Sequence, residues 1–286
     1  MSEPVLAADG VTIDRIVESQ GPLYDPQTFF LGLTKEILAE HRDAAGAGID
    51  DATGLVVLCM QSYVIRTPHH TILVDTCVGN HKDLPNPTWA MRRSEQYMIG
   101  LAALGLTVQD IDYVLCTHLH FDHVGWNTRL LDGRWIPTFP NARYVFQQAE
   151  LDHWTAQTPV PSCVTESVLP VVASGQAELV GPDHGIGDHI RFDPTPGHTP
   201  HHVAILVGRA RTDAVLTGDV LHSPLQLALP DLSMRADSDP AQAAATRRRF
   251  LDCWCGTPTL LCTTHFPLPS TGHVVRQATG FRLQAS

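Results

Sequence analysis

One run of six residues, His118-Leu119-His120-Phe121-Asp122-His123, limits what this chain can be more than any other feature. It packs four metal-capable side chains into six positions, just after Tyr113-Val114-Leu115-Cys116-Thr117 and before Gly125 and Trp126. In extended or turning backbone, side chains two apart point the same way. His118 and His120 then face one metal ion, while Asp122 and His123, displaced by a turn, face a second. A helix would bring His118 and Asp122 together and leave His120 on another face. A strand running into a loop uses all four donors, and that is the expectation.

The plainer alternative is a polar loop in a chain that holds 16 histidines. Three later segments weigh against it: Pro196-Gly197-His198-Thr199-Pro200, Thr217-Gly218-Asp219 and Thr263-Thr264-His265-Phe266. Each sets one donor just past an apolar β-type run or beside Gly and Pro. The full donor set is His118, His120, Asp122, His123, His198, Asp219 and His265. Imidazole and carboxylate without a nearby thiolate favour zinc, with iron, manganese or cobalt also suited to such a site.

This order of motifs resembles the metallo-β-lactamase superfamily, in its dinuclear hydrolase branch. An apolar strand ending in Asp75-Thr76 matches the family pattern upstream, so the resemblance covers most of the chain. It implies a single domain over 1–286 and an α+β fold, the four-layer αββα sandwich with the site along one edge. It implies two zinc ions per chain, with His118, His120 and His198 on the first, Asp122, His123 and His265 on the second, and Asp219 bridging. Such a pair lowers the pKa of bound water from 15.7 to roughly 7 and polarises a carbonyl or phosphoryl oxygen. Asp122 either orients the attacking oxygen or serves as a ligand alone. Asp75 resembles the family's upstream Asp and is expected either to accept a ligand histidine's second N–H or simply to end its strand.

For substrate, the resemblance narrows the choice. A bridging Asp219 is unlike true β-lactamases, and His120 stands where flavodiiron proteins carry Glu. Thioesterases of the glyoxalase II type, acyl-homoserine lactonases and phosphotriesterases keep all seven donors. Acyl-homoserine lactonases often carry Tyr three residues after the bridging Asp, and here that residue is His222. The segments Gly218–His222, Asp237-Ser238-Asp239-Pro240 and His265–His273 are similar to the methyl parathion hydrolase-like subgroup. His222 either donates to a developing oxyanion or leaving group or packs beside the site. The expected activity is opening of a small apolar lactone or ester, which would include quorum quenching. A phosphotriester or a thioester is the alternative substrate, and a metal-bound ligand sensor is the non-enzyme reading. Phe121, Trp126 and Phe266 are expected to wall an apolar pocket, with Phe30 and Trp154 as further aromatics.

Composition bounds the partners. A formal charge of −11 argues against nucleic acid, whose phosphates need clustered Lys and Arg. The basic run Arg247-Arg248-Arg249 falls in an expected helix and reads as a solvated face. No apolar run approaches the ~20 residues of a membrane span, and Met1-Ser2-Glu3-Pro4 does not open like a secretory signal. Seven cysteines without paired spacing suggest reduced thiols in a cytoplasmic protein. The partner is therefore a small molecule, and a homodimer is open.

Pattern places an opening strand within 1–20 and an ordered loop through Pro22, Pro26, Phe29 and Phe30. A helix follows over Leu31–Ala44, then paired strands at 54–66 and 71–75. A helix from Trp89 to Leu104 ends at Gly105, and Thr107 with Asp110 forms a capping box. Later strands fall near 143–146, 188–193, 202–208, 213–217 and 259–263. Asp239 and Pro240 open a helix that runs to about Trp254.

Overall fold

The computed structural model describes residues 3–277 and 280–285. The chain divides into two compact units, Met1–Ser19 with Met60–His184, and Gln20–Cys59 with Gly185–Ser286. No helix among the described residues is long and apolar enough to cross a membrane.

The first sheet takes in β1 (Leu6–Ala8), β2 (Val11–Tyr24), β3 (Val56–Arg66), β4 (Thr71–Val74) and β5 (Tyr113–Leu115). A two-stranded hairpin of β6 (Thr128–Leu131) and β7 (Arg134–Pro137) stands apart from it. The sheet then continues through β8 (Arg143–Gln147) and β9 (Ala177–Val180) in the order β1-β2-β3-β4-β5-β8-β9. From β4 onward neighbouring strands run parallel, so helices must carry the chain back between them. The helix Gln96–Ala103 does so between β4 and β5. In β3, Val56 to Ile65 are buried without alternation, as in a strand covered on both faces. The register Val74↔Leu115 lets β4 and β5 end side by side, delivering Asp75 next to Cys116 and Thr117.

The second sheet runs in sequence order: β10 (Gly185–Ile186), β11 (Ile190–Pro194), β12 (Val203–Val207), β13 (Ala214–Leu216), β14 (Leu260–Cys262), β15 (Thr271–Gln277) and β16 (Gly280–Gln284). Only the β13–β14 pair is parallel, and the helix Pro240–Trp254 joins its strands. Asp239 caps that helix by accepting from the Gln242 amide, and Pro240 fills its first turn. Ala243, Thr246, Arg247, Phe250 and Leu251 form its buried stripe. The registers Leu216↔Cys262 and Ile205↔Leu216 bring the β11–β12 loop and the exits of β13 and β14 to one edge. Loops at such strand ends carry His198, Asp219 and His265.

Each unit has its own apolar core, around Val114, Tyr97 and Phe146 in the first and Val215, Leu261 and Phe250 in the second. The expected strands and the capping box at Thr107 are present. Several expectations need correction. The helix expected over Trp89–Leu104 begins only at Gln96, because residues 80–82 and 91–94 pair instead. Met91 N–H donates to Lys82 O, His81 N–H donates to Arg92 O, and the Asn80 side chain bonds both backbone groups of Ser94. The loop expected from Pro22 is still strand as far as Tyr24. The helix expected over Leu31–Ala44 is two short pieces, Lys35–Glu40 and Arg42–Ala45, broken at His41. The C-terminal β15–β16 hairpin was not anticipated.

Candidate functional site

In the first unit, the chain leaves β5 extended, passes His120 at φ −67° and ψ 158°, and makes one helical turn over Phe121–Val124. This is the strand-then-turn conformation expected of the six-residue run. Asp75 organises it from the end of β4. Its Oδ1 accepts from Thr117 N–H at 2.8 Å, and its Oδ2 accepts from Thr117 Oγ1 at 2.9 Å and from His123 Nδ1 at 2.8 Å. Because Thr117 gives its hydroxyl proton to Asp75, its oxygen accepts from His118 Nδ1, 3.1 Å away. Asp75 does more than end a strand. One carboxylate fixes two imidazoles with their Nε2 atoms turned the other way, and its own φ of +57° is the backbone cost of that position.

His118 Nε2 lies 2.9 Å from His120 Nδ1, and Asp122 Oδ1 lies 3.9 Å from His123 Nε2. The glycine after this run is required by space. A Cβ on Gly125 would fall 1.9 Å from the Val78 carbonyl oxygen. The Trp154 ring meets His120 edge-on at 5.2 Å, and its indole donates to Glu150 Oε1 at 2.7 Å. Phe121 is half-buried, 6.1 Å from the Trp89 ring, and remains a candidate pocket residue. Trp126 does not. It belongs to the core, stacked on Tyr97 at 5.5 Å with its N–H donated to Glu18 at 2.7 Å. Burial pushes the Glu18 carboxyl up, against the Arg92 charge beside it.

In the second unit, Asp219 is the centre. Its Oδ2 lies 3.1 Å from His198 Nε2 and 3.0 Å from His222 Nε2, and its Oδ1 lies 3.1 Å from His265 Nε2. Its amide donates to His202 Nε2 at 2.9 Å, while His202 Nδ1 donates to Thr195 Oγ1 at 2.8 Å. His198 Nδ1 donates to Asp237 Oδ1 at 2.9 Å, and His265 Nδ1 donates to the Cys59 carbonyl at 3.0 Å. Both ligand candidates therefore carry their proton on Nδ1 and turn a lone pair of Nε2 toward a carboxylate oxygen. Two facing lone pairs need a cation between them, either a proton or a metal ion. Asp219, His222 and His265 also bring their donor atoms within 4.8 Å of one another. The donor set thus fits a metal, and the two Asp219 oxygens are turned to different histidine ligand candidates, Oδ2 to His198 and Oδ1 to His265.

The electrostatics agree. Burial pushes His198 down, but the Asp219 and Asp237 carboxylates outweigh it and raise the imidazole to about 9. Burial raises the Asp237 carboxyl, yet the hydrogen bond from His198 and nearby positive charge leave it below the usual range. His222 is lowered, with burial the first cause.

His222 differs from its neighbours. Its ring stacks on His265 at 5.5 Å and 8°, and Phe29 meets it edge-on at 6.2 Å. Its Nε2 donates to Asp219, and its buried Nδ1 has no hydrogen-bond partner among the described residues. Phe30 is fully buried, and Phe266 lines a cavity of about 430 Å³ together with Pro224, Leu227 and Leu268. The loop that carries His198 is as tight as that of Gly125. Gly197 has φ +133°, and a Cβ there would fall 2.3 Å from the Ala243 nitrogen.

Asp237, His202, Thr117 and Glu150 were not expected. Asp237 had a signal in Asp-Ser-Asp-Pro, but that signal reads as a helix start. The basic run is corrected too. Only Arg248 and Arg249 are solvated, whereas Arg247 is completely buried.

The family model described as the metallo-beta-lactamase superfamily matches residues 61–265. An N-acyl homoserine lactonase of Bacillus sp is 27% identical over 173 residues, which span 57% of this chain and 63% of the lactonase. A probable metallo-hydrolase, YflN of Bacillus subtilis (strain 168), is 24% identical over 80% of this chain and 89% of its own. Among solved structures, the hydrolase AbOPH in the beta lactamase superfamily superposes with a TM-score of 0.82 at 20% identity, covering 98% of this chain and 96% of that one. AidC, a dizinc quorum-quenching lactonase with a bound product, gives 0.78 at 19% identity, covering 99% and 97%. These similarities show the fold.

Proposed function

We propose that this chain, which belongs to the metallo-β-lactamase superfamily, is a dinuclear metal-dependent hydrolase that opens a small apolar lactone or ester. The observation that carries this reading is the split of Asp219, one oxygen toward His198 and the other toward His265. That is the disposition a carboxylate shared by two ions requires. His118, His120 and His198 would hold one ion, Asp122, His123 and His265 the other, with Asp219 common to both. Zinc is the metal that these donors favour, and Asp75, Thr117, Asp237 and the Cys59 carbonyl hold four of the histidines in the required tautomer. When bound, such a pair supplies hydroxide near neutral pH and polarises the substrate's carbonyl oxygen.

The chain's own groups then have distinct tasks. His222, stacked flat on His265, keeps its one N–H on Nε2, where it donates to Asp219; with Asp219 taken up by the ions, that same Nε2–H would be the one offered to the oxyanion that develops as the ring opens. Asp122 orients the attacking oxygen or takes its proton to the leaving group. Phe121 and Phe266 provide apolar surface for an acyl chain, and Trp154, edge-on to His120, adds to it. On an acyl-homoserine lactone this chemistry would be quorum quenching, the activity named for AidC. One observation favours a second reading, phosphotriester hydrolysis: His222 replaces the Tyr usual in lactonases three residues after the bridging Asp.

A hydrolysis screen on metal-quantified protein tests both. The panel is a long-chain acyl-homoserine lactone, a γ-lactone, an aryl ester, an aryl phosphotriester and a glutathione thioester. A lactone or ester preference supports the main reading, and a phosphotriester preference supports the second. Two bound metals without turnover on any of the five would contradict the hydrolase assignment and favour a ligand sensor.

A further inference from the structure

The run Arg247-Arg248-Arg249 separates into two kinds of arginine. Arg248 pairs with Asp231, and Arg249 donates to the Pro194 carbonyl, both at the surface. Arg247 points inward from the buried stripe of the helix Pro240–Trp254 and heads the completely buried large side chains. A guanidinium in that position loses its water and is retained only where its donors find acceptors. Here Nε donates to Val220 O at 2.8 Å, and Nη1 donates to Pro230 O at 2.8 Å and Leu232 O at 3.0 Å. Nη2 makes no hydrogen bond among the described residues and stands at ion-pair distance, 3.7 Å, from Asp237 Oδ2.

Three of these four groups lie directly behind a residue of the site. Val220 follows Asp219 in the chain. Asp237 holds His198 by its Nδ1 at 2.9 Å. Leu232 O also accepts from Gln226 Nε2 at 2.8 Å, and Gln226 Oε1 accepts from His222 N–H at 2.7 Å. One planar fork therefore reaches the supports of three side chains that surround the same carboxylate. A lysine ammonium in that place is a single point and cannot span the set.

We infer that Arg247 is a positioning residue of the metal site. It sets the loop 230–237 and the Asp219–Val220 turn against each other, so that Asp237 aims His198 at the ion. This rests on the metal-binding reading above, and Arg247 itself touches neither metal nor substrate.

The test is a double-mutant cycle on zinc affinity, read by chelator competition on D237N, R247K and D237N/R247K. The visible spectrum of the cobalt-loaded proteins and the melting of the apo forms accompany it. D237N is expected to weaken one of the two ions by about 10- to 100-fold. R247K is expected to weaken that same ion by about tenfold and to shift its cobalt bands. On the D237N background, R247K adds less than about threefold, because both act through His198. Should R247K fail to fold, R247Q, which keeps a donor for Val220 O, is read in the same way. Unchanged affinities in R247K, or losses that multiply in the double variant, would overturn the inference. Wild-type protein that binds no zinc would overturn the metal reading itself, and shows it before any variant is made.

Discussion

Asp219 turns one oxygen to His198 and His222 and the other to His265, and His198 and His265 are each held from behind by a fixed acceptor. Removing this carboxylate leaves His198 and His265 with nothing to share. D219A is expected to bind one metal ion at most and to lose about 10³-fold or more in turnover, in keeping with loss of metal-assisted chemistry. Elemental analysis alongside an ester assay checks it, and two ions with full activity would sink the bridging role. His222 makes the complementary prediction. In H222F the flat stack on His265 survives but the N–H is gone, so turnover should fall about 10- to 100-fold with two ions retained. Unchanged turnover would make His222 a packing residue. The donors were legible in the sequence because each sits where an apolar run stops. Of their supporting partners only Asp75 was named beforehand, and which histidine it holds was not: His123 meets Asp75 across 48 residues and His198 meets Asp237 across 39, pairings that strand register and loop closure decide.

At the scale of elements, local chemistry was readable where a side chain bonds its own neighbours. The Thr107–Asp110 box and the Asp239–Pro240 start are of this kind. Replacing Asp239 by Ala removes the acceptor for Gln242 N–H and should cost about 1 kcal/mol in a denaturation midpoint. Apolar periodicity misled at Trp89–Ser94, where tertiary pairing with 80–82 overrides helix propensity. The same pairing region holds Lys82, whose ammonium lies 3.6 Å over the Trp135 ring and donates to Thr128 Oγ1 at 2.6 Å. Burial pushes it down to about 7, against the Glu166 charge. Its folded pKa is depressed, so the unfolded chain binds the extra proton between pH 7 and about 10. Stability through this group is therefore complete above its ordinary range and is lost as pH falls through 7. The unfolding free energy should rise by up to about 1.4 kcal/mol per pH unit across that window. K82M should flatten the slope; an identical slope in K82M would contradict the cause.

At the scale of the molecule, pattern alone supported only a mixture of α and β, and the four-layer class was legible through the family resemblance that the order of the four donor segments carries. The division into two units was not legible, since no linker composition marks it. It falls inside β2 and β3, two continuous strands, and again between His184 and Gly185. Metal should stabilise the folded chain by mass action, about 2.7 kcal/mol at a free concentration of 100 times the Kd. Chelator-treated protein is expected to melt several degrees lower, and zinc should restore the midpoint. The most direct measurement is a zinc titration of metal-free protein, followed at once by bound-metal content and by hydrolysis of a long-chain acyl lactone. Activity is expected to climb until two ions per chain are bound and then to level. Full activity in the metal-free protein, or saturation at a single ion, would contradict it.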